Sequence, residues 1–411
     1  MTILARLRGE FSFISGNMLV LTITLIIIIS AAAIPSTYYP KYVEGLGGTP
    51  FIVGVIGFAS YATLALVQFP GGYLADKYGR RWLIVTMTFG TAVAYVLYAA
   101  APTWHFILVA AVLQSLCLIY QPALLALIAD SMPPEKRGMG FSIFNLVHSV
   151  SVLSPIIAGF LSIRYGLIFG MRIAYLIVAV SFLIGAVLRM RLRETLGNRT
   201  ERMPLGESFR AFPDSVNKSL RALKTASRSM LFLFASFAIY NFAWFACSLN
   251  LIFYATEVLH ITDFEWAVLM MWFSAVGILS ALPCGKIVDK FGRKKPLLMG
   301  WLLFIPAMIG FVYGNLITLL ICFLLLGMAS ILANTAYPAL QADMVAREKR
   351  GKIAGSTYFF FYIMNSLGQL SGGFMYQYLS PALPFLLSST LYVPCLLLTL
   401  FFVHEPTKRE I

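Results

Sequence analysis

The carboxylates and cations of this chain come in matched sets. Asp76 is followed by Gly79, Arg80 and Arg81, and 213 residues on Asp289 is followed by Gly292, Arg293 and Lys294. Gly72 and Gly285, which open the two turns, keep that spacing. So do Asp130 and Asp343, each followed by a Glu-Lys-Arg-Gly run that places Arg137 and Arg350. An aspartate beside cations on a tight turn makes charge-assisted hydrogen bonds that tie helix ends together. Gly79 suits a reversal at positive φ, and Gly72 suits a close approach of two helices. No nucleophile–base pair or metal-ligand cluster accompanies these residues. The five cysteines (Cys117, Cys247, Cys284, Cys322, Cys395) are scattered through apolar runs. Enzyme chemistry, a metal site and a cofactor are therefore not expected.

The elements that carry these turns are apolar. The chain is 59% hydrophobic and 12% charged, whereas a soluble domain carries about 25% charged residues. A bilayer core needs about 20 apolar residues per helix. Runs of that kind cover 16–39, 50–74, 82–101, 104–130, 138–162 and 169–189, and then 229–256, 264–287, 296–314, 316–345, 351–378 and 382–403. The expected fold is an all-α membrane protein with twelve transmembrane helices in two pseudo-symmetric six-helix bundles, 1–190 and 229–411, joined by a basic linker, 191–228. The first apolar run has the look of a secretory signal, but it continues past Ala33 to Tyr38 and is matched in the second half, so it reads as a retained helix.

Charge placement sets the expected topology. With both termini cytoplasmic, all 31 Lys and Arg but Lys41, Arg164 and Arg172 fall on the cytoplasmic side. The net charge of +14 then reports orientation in a cell membrane, and no nucleic-acid partner is expected. In the linker, Phe209, Phe212, Val216, Leu220 and Leu223 follow helical spacing beside basic residues, which fits either short interfacial helices or a solvated basic linker.

The Gly-x-x-x-Asp-x-x-Gly-Arg-Arg/Lys turn, present twice, resembles the signature loop of the major facilitator superfamily. The Asp-x-x-x-x-Glu-x-Arg-Gly run and the acidic ends Arg193-Glu194-Thr195 and His404-Glu405-Pro406 resemble it too. The resemblance covers essentially the whole chain. It implies a monomeric secondary transporter in which Asp76 faces the start of span eleven, Gly351–Ser356, and Asp289 faces Gly138–Ser142. Those contacts, with Arg80, Arg81, Asp130, Arg137, Arg293, Asp343 and Arg350 around them, would latch one side shut.

The same resemblance implies a central cavity lined by spans 1, 4, 7 and 10. Span four offers Gln114 and Gln121, and span ten offers Ser330, Asn334 and Tyr337. Asn241 and Trp244 come from span seven, and Tyr358, Tyr362, Asn365 and Gln369 share a face of span eleven. Such groups either bind cargo or hold helices to one another. Asn145 and His148 lie along span five. His148, read as the one ionisable side chain deep in a span, is either a proton carrier or a neutral histidine bonded to Asn145.

Absences narrow the class. Span one carries no acid, and span four lacks the arginine common in proton-coupled relatives. The drug-exporter motif Gly-Pro-x-x-Gly-Gly survives only as Ser154-Pro155-Ile156-Ile157-Ala158-Gly159. A cavity without fixed charge disfavours strongly ionic cargo. The leading expectation is an exporter of a hydrophobic, amphipathic or weakly polar small molecule, of the antiporter or multidrug-efflux kind, with proton coupling through His148 left open. A uniporter of a neutral metabolite such as a sugar and a non-transporting ligand sensor are the alternatives.

Overall fold

Short turns separate the long apolar runs, and among the described residues those runs are helical, with no strand. The computed structural model describes residues 15–131, 149–195, 227–345 and 350–405, apart from the side chains at 69, 72, 73, 75–78, 129, 149, 150, 289, 350–352 and 354. The first half contains α1 (Asn17–Ser36), the short α2 (Tyr39–Gly45), α3 (Pro50–Tyr78), α4 (Arg80–Ala100), α5 (Trp104–Cys117), α6 (Gln121–Asp130), α7 (Ser154–Tyr165) and α8 (Leu167–Arg189). The second contains α9 (Arg228–Ser248), α10 (Asp263–Phe291), α11 (Lys294–Tyr313), α12 (Leu316–Met344), α13 (Arg350–Tyr378) and α14 (Leu383–Phe402).

Local chemistry explains several helix starts. Thr49 caps α3 by accepting the Ile52 N–H, with Pro50 in the first turn, where its missing N–H costs nothing. Thr262 and Glu265 form a reciprocal capping box at α10. Asn315 caps α12 by accepting from Thr318 N at 3.1 Å.

Ten stretches among the described residues are long and apolar enough to cross a membrane. Predicted spans five and eleven are the exceptions. Ser151–Tyr165 is apolar but short, and 138–148 lies outside the described residues. Helix α13 is 29 residues long, but Ser356, Thr357, Asn365, Ser366 and Gln369 lower its apolarity. Large apolar side chains such as Val93, Phe106, Leu282, Ile317 and Phe401 point outward. Hydrocarbon, not water, is the solvent that suits such a surface.

The halves meet most closely along α3 and α13. A Cβ on Gly54 would lie 2.5 Å from the Gln369 carbonyl oxygen and 3.2 Å from the Gly373 Cα, so only glycine permits this approach. Aromatic contacts follow the same seam, from Phe51–Tyr378 (5.5 Å between ring centroids) to Tyr61–Tyr362 (6.3 Å). Helix α7 packs on α10, where Gly159 faces Ala267.

Candidate functional site: paired turns and an opposed clasp

The α3–α4 turn is a single residue. Gly79 sits at φ 91°, a left-handed conformation that other residues rarely adopt, and α4 starts at Arg80. Directly over it lies the Glu194 carboxylate, 2.8 Å from where a Gly79 Cβ would stand. That carboxylate accepts the Arg81 N–H at 3.0 Å, placing negative charge at the positive end of α4. The Arg80 guanidinium pairs with Asp130 at the end of α6 and donates to the Thr195 hydroxyl at 3.2 Å. Arg81 donates to the Met190 carbonyl at 2.7 Å. Asn17, at the start of α1, makes a two-way bond with the Arg193 backbone, at 2.7 and 2.9 Å, and so fixes the segment that carries Glu194.

The second half builds the same assembly. Gly292 sits at φ 84° beneath the Glu405 carboxylate, which accepts the Lys294 N–H. Arg293 pairs with Asp343 at 3.3 Å, and Lys294 donates to the Leu400 carbonyl at 2.8 Å. Ser229, at the start of α9, makes a two-way bond with the His404 backbone, at 2.7 and 3.2 Å. The contacts described for each assembly lie within its own half. Arg80 and Arg81 are engaged by Asp130 and by the end of α8.

At the opposite end of the helices, several polar contacts run between the halves. The Lys41 ammonium lies 2.6 Å from Glu257 and 3.1 Å from Glu44, and 5.0 Å from the Phe253 ring centroid. Tyr38 donates to the Asp263 carbonyl at 2.5 Å, and the Trp266 indole donates to the Thr37 carbonyl at 3.1 Å. The Phe51 N–H donates to Gln377 at 2.9 Å. Burial acts to lower the Lys41 pKa, but the hydrogen bonds and charges of Glu257 and Glu44 outweigh it and hold the pKa above the ordinary lysine value.

A family model for the Major Facilitator Superfamily matches residues 20–369 and 256–411. The chain belongs to the major facilitator superfamily. An uncharacterized MFS-type transporter of Methanocaldococcus jannaschii is 23% identical over 374 residues, covering 88% of each chain. A Na(+), Li(+), K(+)/H(+) antiporter of Planococcus maritimus is 31% identical over 165 residues, covering 38% of this chain and 36% of the antiporter, so the chain matches about a third of that relative's length. The human organic anion transporter MFSD10 has the same fold, with a TM-score of 0.71 at 16% identity over 93% of this chain and 98% of that one. The family is one of transporters, not of enzymes.

The described cavity candidates make different contacts. Gln114 donates to the Tyr95 hydroxyl at 2.7 Å and accepts from Tyr98 at 3.2 Å, bonding α5 to α4. Asn241 donates to its own helix at the Phe237 carbonyl, and Tyr337 stacks on Phe237 in the core of the second half. Gln369 packs on Gly54 and Gly57 in the α3–α13 seam. Asn365 is buried, with an unpaired carbonyl oxygen. Asn334 and Tyr358 are exposed, while Gln121, Trp244, Ser330 and Tyr362 are half-buried. Asn145, His148 and Arg137 lie outside the described residues, as do the side chains of Gly72, Asp76, Asp289 and Arg350.

Gly285, the repeat partner of Gly72, sits in open space, where an added Cβ would meet nothing within 4 Å. In the first half a tight contact is made by Gly71, where a Cβ would lie 2.2 Å from the Ile119 carbonyl oxygen, and Gly72 lies outside the described side chains. One expectation is corrected. His148 is not the one ionisable group deep in the helices. Arg189, counted with the cytoplasmic linker on charge alone, is completely buried because its side chain turns back into the bundle. The carboxylates that complete both turns, Glu194 and Glu405, were missed as site residues. Their signal was the repeated acid after spans six and twelve.

Proposed function

We propose that this chain is a secondary transporter working by alternating access, exporting a hydrophobic, amphipathic or weakly polar small molecule from the cell in exchange for protons. The observation that carries the reading is the opposition of contacts. Among the described residues, the charged turns make their contacts within each half at one end, and a clasp joins the halves at the other. A molecule built this way opens one end by separating α3 from α13 and α7 from α10 while each half stays rigid.

With the turns taken as cytoplasmic, the clasp seals the outer side. Asp76 and Asp289, set at the ends of α3 and α10, then act as the cytoplasmic latches, and the basic segment 191–228 joins two bundles, 1–190 and 229–411. The half-exposed Trp244, Tyr362 and Ser330, together with Asn334 and Tyr358, offer aromatic faces and amides without a fixed charge. That chemistry suits neutral or amphipathic cargo. The antiporter relative supports exchange for protons. His148 is the proposed carrier, as a histidine that titrates near neutral pH.

Proteoliposomes loaded with a panel of dyes, drugs and sugars, with an internal pH-sensitive dye, test the reading. Saturable flux with opposite proton movement is the expected result, and replacing His148 by Gln should flatten its dependence on pH between 5.5 and 8. Flux without proton movement would make the chain a uniporter, and no flux across the panel would remove the transport assignment.

A further inference from the structure

Arg189 ends α8, yet it is fully buried and no carboxylate pairs with it among the described residues. Its Nε donates to the Thr24 hydroxyl of α1 at 3.3 Å, and its Nη1 donates to the Thr88 hydroxyl of α4 at 2.7 Å. Both hydroxyls give their own protons to backbone carbonyls, Thr24 to Leu21 and Thr88 to Ile84, which leaves lone pairs for the cation. The guanidinium carbon lies 5.5 Å from the centroid of the Tyr120 ring. Dipoles and one aromatic face are thus all that the described residues offer this charge, a costly arrangement in a dry interior.

Tyr120 stands at a break. Span four passes from α5 into a 3₁₀ turn, Leu118–Tyr120, before α6 starts at Gln121, because Pro122 lacks the N–H that would bond the Leu118 carbonyl. Gly71 of α3 seats on the other side of that turn. A Cβ there would lie 2.2 Å from the Ile119 carbonyl oxygen, so no larger residue fits.

The second half has none of this. At the repeat spacing of 213, Gly71 becomes Cys284, Thr24 becomes Phe237, Thr88 becomes Trp301, Tyr120 becomes Ala333 and Pro122 becomes Thr335. Helix α12 runs unbroken through that level, and the space holds a neutral aromatic group, with the Trp301 indole bonded to Thr399 at 3.1 Å. The architecture can therefore be built without a buried cation.

We infer that Arg189 is a positioning residue, which clamps the broken turn of span four through Tyr120 and so sets where Gln121 enters the helix that lines the transport path. This function rests on the transporter reading above, but the geometry can be tested without cargo. Cys117 immediately precedes the break, and its thiol is buried against Gly90 of α4. In the full chain with Cys247, Cys284, Cys322 and Cys395 replaced by Ala, alkylation of Cys117 by N-ethylmaleimide reports on the clamp, and thermal unfolding reports on stability.

Arg189→Met, similar in volume and uncharged, should leave Tm unchanged or higher, because a buried charge is removed. It should also speed Cys117 alkylation at least tenfold. Arg189→Lys, which keeps the charge, should alkylate at close to the wild-type rate. Thr24→Val with Thr88→Val, which strands the cation, should lower Tm. A fall in Tm in Arg189→Met, with or without faster alkylation, would make Arg189 a general structural prop and overturn the inference. So would an unchanged alkylation rate in that variant. Either result leaves the transport reading intact, since no cargo enters the experiment. Absence of flux in proteoliposomes would remove that reading and leave the clamp standing.

Discussion

Lys41→Met removes the cation from a contact of three charged side chains and should weaken the join between the halves. The Lys41 side chain is 15% exposed, while Glu257 and Glu44 are 41% and 39% exposed. An exposed ion pair contributes about 0.2–1 kcal/mol. A hydrogen bond to a charged group is stronger, about 1.5–3 kcal/mol. Glu257 is exposed enough for water to recover much of the loss, which sets the expected effect at about 1–2 kcal/mol. That is roughly a five- to thirty-fold shift toward molecules open at the clasp end. Spin labels at Thr103 and Leu379, one in each half at that end, would read the separation by double electron–electron resonance. The long-distance population should grow in Lys41→Met and in Glu257→Gln. Because the folded pKa of Lys41 is raised, its contribution is complete below the ordinary lysine value and fades only as pH rises through the higher folded value. The wild-type distances should therefore not change between pH 7 and 9 on the lysine's account. Unchanged distances in both variants would refute the clasp.

Other tests address the turns. Gly79→Ala should destabilise the first half by about 1–2 kcal/mol through left-handed strain alone, plus displacement of Glu194, whereas Gly285→Ala, in open space within a helix, should stabilise by about 0.5–1 kcal/mol; paired thermal melts would show it, and equal effects would remove the turn geometry. Glu194→Gln and Glu405→Gln each remove a negative charge from a helix start and should cost about 0.3–1 kcal/mol, falling with added salt in chemical denaturation. Asp76→Asn should slow flux and raise the population open at the turn end while cargo affinity stays nearly constant, and wild-type turnover would remove Asp76 from the gate.

Much of the fold was legible because its signals are local and repeated. Apolar runs of membrane length need no partner to be recognised, and Gly79 and Gly292 announce their positive φ by residue type. The spacing of 213 also links Arg80 with Arg293 and Asp130 with Asp343, and within each half the arginine pairs with the aspartate. Glu194 and Glu405 lie 211 residues apart, outside that register, so the spacing of 213 does not tie them to the turns, although each is the acid that follows the last span of its half. The clasp has no copy in the repeat, since Lys41 and Glu257 come from different halves and meet across 216 residues.

By itself the sequence determined the solvent, the ten apolar helices long enough to cross it among the described residues and the duplicated turns, because transfer free energy and glycine backbone freedom act residue by residue. Tertiary structure decided where each charge goes. Arg189 and Arg191 look alike along the chain, yet one is wholly buried between two threonines and the other is exposed. Asp76 and Glu194 are both acids at span ends, but only the fold lays Glu194 over the start of α4. Coulomb energies depend on distance and local dielectric, and those quantities exist only once the helices have packed.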